Sequence, residues 1–567
     1  MPDNDGFGRL ITYSSVYGRW PTYEDLATCL KPYRVSDVVL TLSWILTTTQ
    51  SWRAVSGNDR DLSIRRYFAP SLQFHRSATG EEFLFSRASV LWLMRQSFRL
   101  CQHDGAPVNT PASYLAIGLA ALIGNDLGAY QQPRHLKTNL EFAANLLPLT
   151  EYMSLEEFDR DVSRTHYMLT VLAPTAAYAA LRGLPAAIER LLGFRLDEYR
   201  DLVLASAAKV MLVDSSDPTC CITPALAAQN FSRTALNPTN MHLFWDSVSW
   251  DAHEAAEHFR NTASHPWDLT DFRVRPLMRV RSREYVVLDL PFLMDKAGRS
   301  LFWTAFGRSE GKERKLMPGY WGELFESYVA LVLEQVRTNA RQVMVDPRFE
   351  DGLQAADCCV LEGRTLIVIE AKASTLTAGV RYADNPDLLR DELERKFVVG
   401  DRSGLKGVSQ LAHFLHRFAA GDTIRDRNSL VIARRDVDKI IPVLVHLDTA
   451  LRTVCLNHYM ADRLRDMVRI KRPIVTPLAL LHISELEAMQ GHLDDFLLSD
   501  LIESYLSTLR SNPAAMLFAA RIPLLVRQKP KRGPILTTFE SLMKQTIVRL
   551  FPDEELAHLS RARSDLP

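Results

Sequence analysis

The chain has 567 residues, 47% hydrophobic and 24% charged, the balance of a globular protein with a sizeable core rather than of a disordered or membrane-spanning one. That length exceeds one compact core, and usual domain sizes suggest roughly three to four units or two large ones. Lys plus Arg and Asp plus Glu are equal at 67 each, so the chain as a whole projects no strong field toward a polyanion or an anionic membrane, and any such site must be local.

The opening MPDNDGFGRL has neither a basic start nor a long apolar stretch, so no secretory signal is expected. Apolar runs such as Tyr114 to Gly124 are too short to span a bilayer, and Leu169 to Ile188 is broken by Pro174, Arg182 and Pro185, so no membrane partner is expected. Seven cysteines include the adjacent pairs Cys220/Cys221 and Cys358/Cys359, which suit a reducing cytoplasm better than a disulfide framework. No CxxC spacing supports structural zinc.

From about residue 20 to 265 the apolar spacing is mostly helical, as in the stretches 154–162 and 197–205, and predicts an α-helical domain over 1–265. The pattern changes after Trp267. Residues 272–281 and 284–290 read as strands around Arg281-Ser-Arg283, a hairpin bridging two halves, and the charged run from Gly307 to Lys315 reads as an exposed linker, together 266–314. Tyr320 to Val336 has apolar residues at helical spacing. Gln354 to Ala373 alternates as two strands around Glu362-Gly363, and Gly407 to Phe418 returns to helix. Ile440 to His446 and Thr453 to Leu456 read as strands, followed by helices from about Ser484 to Arg510. A second domain over 315–510 with an α/β core follows, and then a helical tail, 511–567, with a basic loop at Arg527 to Arg532.

The hairpin carries the chemistry. With the loop at Glu362-Gly363, residue 357 faces 368, facing residues share a side, and 368, 370 and 372 alternate onto that side as well. Asp357, Glu370 and Lys372 therefore converge. Two carboxylates and an ammonium on one face suit phosphodiester hydrolysis, because hard oxygen ligands hold Mg²⁺ or Mn²⁺ while leaving water in its shell to attack phosphorus. A nearby lysine orients the water or offsets developing charge. A Glu-x-Lys triplet alone is weak, since Glu310-Gly-Lys312 and Glu394-Arg-Lys396 occur too. What distinguishes Glu370-Ala-Lys372 is its place after the buried run Leu366-Ile-Val-Ile369, with an Asp of matching parity one hairpin upstream.

Gly322-Glu-Leu-Phe-Glu326, Asp357, Glu370-Ala-Lys372 and Gly407-Val-Ser-Gln410 together resemble the PD-(D/E)XK nuclease superfamily in order and spacing, over about 315–460. The resemblance implies a restriction-endonuclease-like core, a mixed sheet flanked by helices. It also implies that Asp357 and Glu370 bind metal, that the Ala371 carbonyl joins them, that Lys372 handles the water, that Glu326 is an auxiliary metal or water ligand, and that Gln410 is the glutamine often borne by the following helix. Ala356 stands where the family has Pro, and 374–406 is longer than a minimal core needs, with an inserted helix near 387–397.

The expected activity is therefore a metal-dependent nuclease, a DNA endonuclease of bacterial defence or mobile-element type by analogy. The nucleic acid is its substrate, and the amino-terminal helical domain serves a partner protein or homo-oligomer. The rival is a non-catalytic nucleic-acid-binding or scaffold protein that keeps a nuclease-like fold. Arg381, Arg390, Arg395, Lys396, Arg402 and Lys406 could contact phosphates, but the acids between them favour a solvated mixed-charge face. His253 and His258, five apart on a helix, lie about 140° round it and do not make a zinc pair.

Overall fold

The computed structural model describes residues 9–50, 64, 66–70, 82–128, 138–148, 158–211, 226–232, 234–262, 268–338, 340–401, 404–493, 495–511 and 534–550. The chain divides into two compact units, one built from Met1–Gln132, Phe194–Ser300 and Met543–Pro567, the other from Pro133–Gly193 and Leu301–Leu542. No described helix is long and apolar enough to cross a membrane.

The first unit is mainly helical. Helices at Tyr23–Leu30, Arg87–Leu100 and Pro111–Leu127 begin where Thr22, Ser86 and Thr110 accept a hydrogen bond from the third backbone N–H of the helix, satisfying a donor that the first turn leaves unpaired. A four-stranded sheet runs in the order Leu226–Ala227, Glu284–Val287, Leu277–Arg281, Ser249–Asp251. The hairpin expected to bridge two halves thus lies inside this unit. Phe272 belongs to a short helix, Thr270–Val274, rather than to a strand.

The expected boundaries change in three further places. The domain at 1–265 is not contiguous, because the helix Asn139–Leu146 of the second unit sets Leu140, Ala143 and Ala144 in one core with Leu389, Phe397 and Phe414. The supposed linker runs straight into helix α1, Gly311–Glu334, which opens the second unit's α/β layer earlier than 315. Thr453 to Leu456 is not a strand: a helix starts at Val454, and so short an apolar run cannot distinguish the two. The basic loop at 527–532 lies outside the described residues.

The sheet of the second unit holds β1 (Arg341–Val345), β2 (Cys358–Glu362), β3 (Thr365–Lys372), β4 (Lys439–His446), β5 (Ile474–Val475) and β6 (Ala479–His482). β1, β2 and β3 pair antiparallel in that order. β4 lies parallel beside β3, and β5 and β6 in turn lie parallel along β4. One face carries Leu366 and Val368 of β3 and Ile440 and Leu444 of β4, packed against α2 (Pro386–Leu393), α3 (Gly407–Ala420) and α4 (Val454–Met467). This is a mixed sheet flanked by helices. The helix expected near 387–397 is α2 continued by a π-helical turn, Glu394–Val398.

The turn between β2 and β3 is Gly363-Arg364, one residue later than expected: Glu362 faces Thr365, and Cys358 faces Ile369. Gly363 has φ +59 and nothing within 4 Å of where a Cβ would sit, the left-handed first position that a two-residue hairpin of this kind needs. Gly363→Ala should therefore cost only the conformational preference, about 1 kcal/mol, or about 2–4 °C in Tm. A thermal melt that did not move would show that the turn is not held in this conformation.

Displacing the turn also changes the role of Glu362. It is 3% exposed and takes Arg341 Nε at 2.6 Å and the N–H groups of Leu498 and Ser499 at 3.1 and 2.8 Å. It thus holds the start of helix α5, Leu498–Ser511, where a carboxylate answers unpaired N–H groups and the helix dipole.

Candidate active site

Glu370 and Lys372 are on the helix-covered face of β3, at its carboxyl end, because side chains alternate and Leu366 and Val368 fix which face is inward. The register pairs Cys358 with Ile369 as the last rung. Asp357 continues the hairpin one step further, opposite Glu370, and its Oδ2 accepts the Ala371 N–H at 2.7 Å. The two-residue difference from the expected pairing preserves parity, which is why all three side chains converge despite the misplaced turn.

Lys372 Nζ donates to Glu370 Oε2 at 3.2 Å and to the Ala371 carbonyl at 3.1 Å, and lies 4.0 Å from Asp357 Oδ2. Glu370 is 2% exposed and Asp357 9%. Gln354, which the sequence did not single out, donates from Nε2 to Asp357 Oδ1 at 3.3 Å. Glu326, on α1, makes no hydrogen bond or ion pair to these three among the described residues, but is near enough for its charge to interact with theirs. Its carboxyl feels Asp357 and Lys372, together with Glu323 and Lys406.

The acids outnumber the lysine, and burial exposes the imbalance. Burial first, then Asp357, hold the Glu370 carboxyl well above the usual carboxylate range against the pull of Lys372. The same two causes push Glu326 up to about 8. Burial pulls Lys372 down, but Glu370, Asp357 and Glu326 outweigh it and raise its ammonium above the usual value.

Among the described residues no three His, Cys, Asp or Glu side chains form a group that could hold a metal ion by themselves. The donor chemistry nevertheless fits a hard divalent cation that keeps part of its water shell, since such ions need only one or two carboxylates from the protein. Asp357 and Glu370 would be those ligands, with Glu326 or the Ala371 carbonyl as a supplement. The surplus of buried acid is what a cation would relieve.

Gln410 is used otherwise. Its Oε1 accepts the Gly407 N–H at 2.7 Å, closing the first turn of α3, and it makes no hydrogen bond to the Asp357, Glu370 and Lys372 group. His446, the last residue of β4, is paired in register with Lys372, wholly buried, and without a hydrogen bond at either ring nitrogen. Burial drives its pKa down to about 3, so the ring is neutral. Nothing local in the sequence marks it, since parallel pairing of β3 and β4 is a non-local fact. No protein-family model matches the chain, and neither does any curated protein or solved structure.

Proposed function

We propose that this protein is a metal-dependent phosphodiesterase, a DNA endonuclease with a restriction-endonuclease-like core of the kind used in bacterial defence or by mobile elements. The observation that carries the reading is the convergence of Asp357, Glu370 and Lys372 at the carboxyl end of β3, with Glu326 brought in from α1. A bound Mg²⁺ or Mn²⁺ supplies an activated water and neutralises charge on the phosphate. Asp357 and Glu370 are the residues to hold it. The tie from Ala371 N–H to Asp357 fixes that carboxylate relative to β3, so the two strands present their oxygens as one set. Lys372, kept protonated by its acid neighbours, favours charge stabilisation at the phosphate over proton abstraction.

The test is a panel of single- and double-stranded DNA and RNA incubated with the full chain and Mg²⁺ or Mn²⁺, then with chelator, alongside calorimetric titration of the metal. The reading expects cleavage of DNA only when metal is present, and metal heats that vanish in Asp357→Ala. No cleavage of any substrate, with no heat up to millimolar metal in the presence of DNA, would reduce the domain to a binding or scaffold module.

A further inference from the structure

Of the six cations between residues 381 and 406, five are among the described residues. Arg381 is buried and bonded to Asp448 at 2.7 Å. Arg390 pairs with Asp387 at 2.8 Å, Arg395 with Glu392 at 3.8 Å and Lys396 with Glu392 at 2.9 Å. Arg402 lies outside the described residues. Lys406 is half-buried, and its side chain makes no ion pair or hydrogen bond to a described residue.

Its position is fixed by two glycines. Gly407 has φ +41 and sits so close to the chain that a Cβ there would meet the Phe397 carbonyl oxygen at 2.2 Å and Leu444 Cδ1 at 3.4 Å. Leu444 is the register partner of Glu370, on the same face of the sheet, so the backbone at 406–407 crosses directly beside the site. Gly400, at φ +95, opens a small hairpin (Gly400–Asp401 with Gly404–Leu405), and a Cβ on it would lie 2.9 Å from Lys406 Cγ. Neither site tolerates a side chain, and together they hold the lysine's stem in place. Its ammonium is among the charges that act on the Glu326 carboxyl.

Lys372 is already bound to the acids, whereas Lys406 is not. A metal serves only the scissile phosphate, so a neighbouring backbone phosphate needs a free cation at the rim of the site. We propose that Lys406 is a substrate-positioning residue that grips a backbone phosphate oxygen of the nucleic acid at the edge of the Asp357, Glu370 and Lys372 site. This rests on the nuclease reading for the identity of its ligand.

The test compares the full chain with Lys406→Met and Lys406→Arg, binding a fluorescent DNA duplex over a salt series without divalent metal, and cleaving it with Mg²⁺. Met keeps the apolar stem against Gly400, so folding is retained. The contact predicts that Lys406→Met lowers the slope of log Kd against log salt by about 0.9, the share of one phosphate on duplex DNA. It also predicts that Lys406→Met raises KM about tenfold with little change in kcat, and that Lys406→Arg restores both. A Lys406→Met chain with the parent's slope and KM would overturn the contact while leaving the nuclease reading intact. A lowered slope in a chain that cleaves nothing with metal would keep the contact and remove hydrolysis. A chain that binds no DNA at any salt would remove both.

Discussion

Replacing Asp357 by Asn, Glu370 by Gln or Lys372 by Met should each lower kcat/KM for metal-dependent cleavage by about 10³-fold or more, with the fold kept. Single donors or charges aimed at the developing charge of a transition state are worth about 10²–10³, and loss of a metal ligand removes the water activation as well. The three side chains act as a unit: Asp357 is tied to β3 through the Ala371 N–H, and the Lys372 ammonium bridges toward both acids. The double variant Asp357→Asn with Lys372→Met should therefore be scarcely slower than either single one, because residues of one machine are grossly non-additive. Each replacement is close to isosteric, and Asn can still offer an oxygen to Ala371. Circular dichroism and a thermal melt of each variant separate loss of chemistry from loss of fold. Equal residual cleavage in the parent and all three variants would mean that the activity came from elsewhere.

The site was more legible than the boundaries around it, for physical reasons. Period-two alternation from Leu366 to Lys372 needs no knowledge of neighbours, and a turn misplaced by one residue shifted the pairing by two, so the faces survived. Helical spacing set α1 before the hairpin, and Glu326, named by the family resemblance alone, lies on that helix. Glu362 was misread as a loop residue because its partners, Arg341 and the N–H groups of Leu498 and Ser499, are distant in sequence. The same limit hid Lys406 among five other cations, since which of them is neutralised is decided by ion pairs such as that of Arg381 with Asp448. The helix at 139–146 carried its apolar stripe openly, but nothing local says that the stripe is buried with residues some 250 positions later.

The surplus acid has a consequence for the stability of the metal-free chain, and its direction in pH can be fixed. Glu326 titrates near 8 in the folded chain, well above the usual 4.5, with burial as the main cause, and Glu370 is raised as well. Between those pH values the folded state binds protons that the unfolded state has released. The contribution of these groups to stability is therefore fully present below the ordinary carboxylate range and is lost as pH rises toward 8. Glu370→Gln, which imitates the protonated acid, should gain stability relative to the parent in the metal-free protein as pH rises from 5 to 8, by about 1.4 kcal/mol for each pH unit over which the parent's folded state holds a proton that its unfolded state has lost. The difference between parent and variant isolates this site from carboxylates elsewhere in the chain. Adding Mg²⁺ should raise the Tm of the parent more at pH 8 than at pH 5, since the cation and the protons compete for the same oxygens, and should leave that of Glu370→Gln nearly unmoved. Calorimetric melts of both proteins at the two pH values, with magnesium and with chelator, make the comparison. If Glu370→Gln gained no stability over the parent between pH 5 and pH 8 without metal, Lys372 would be neutralising the acids on its own, and the pocket would have no need of a cation.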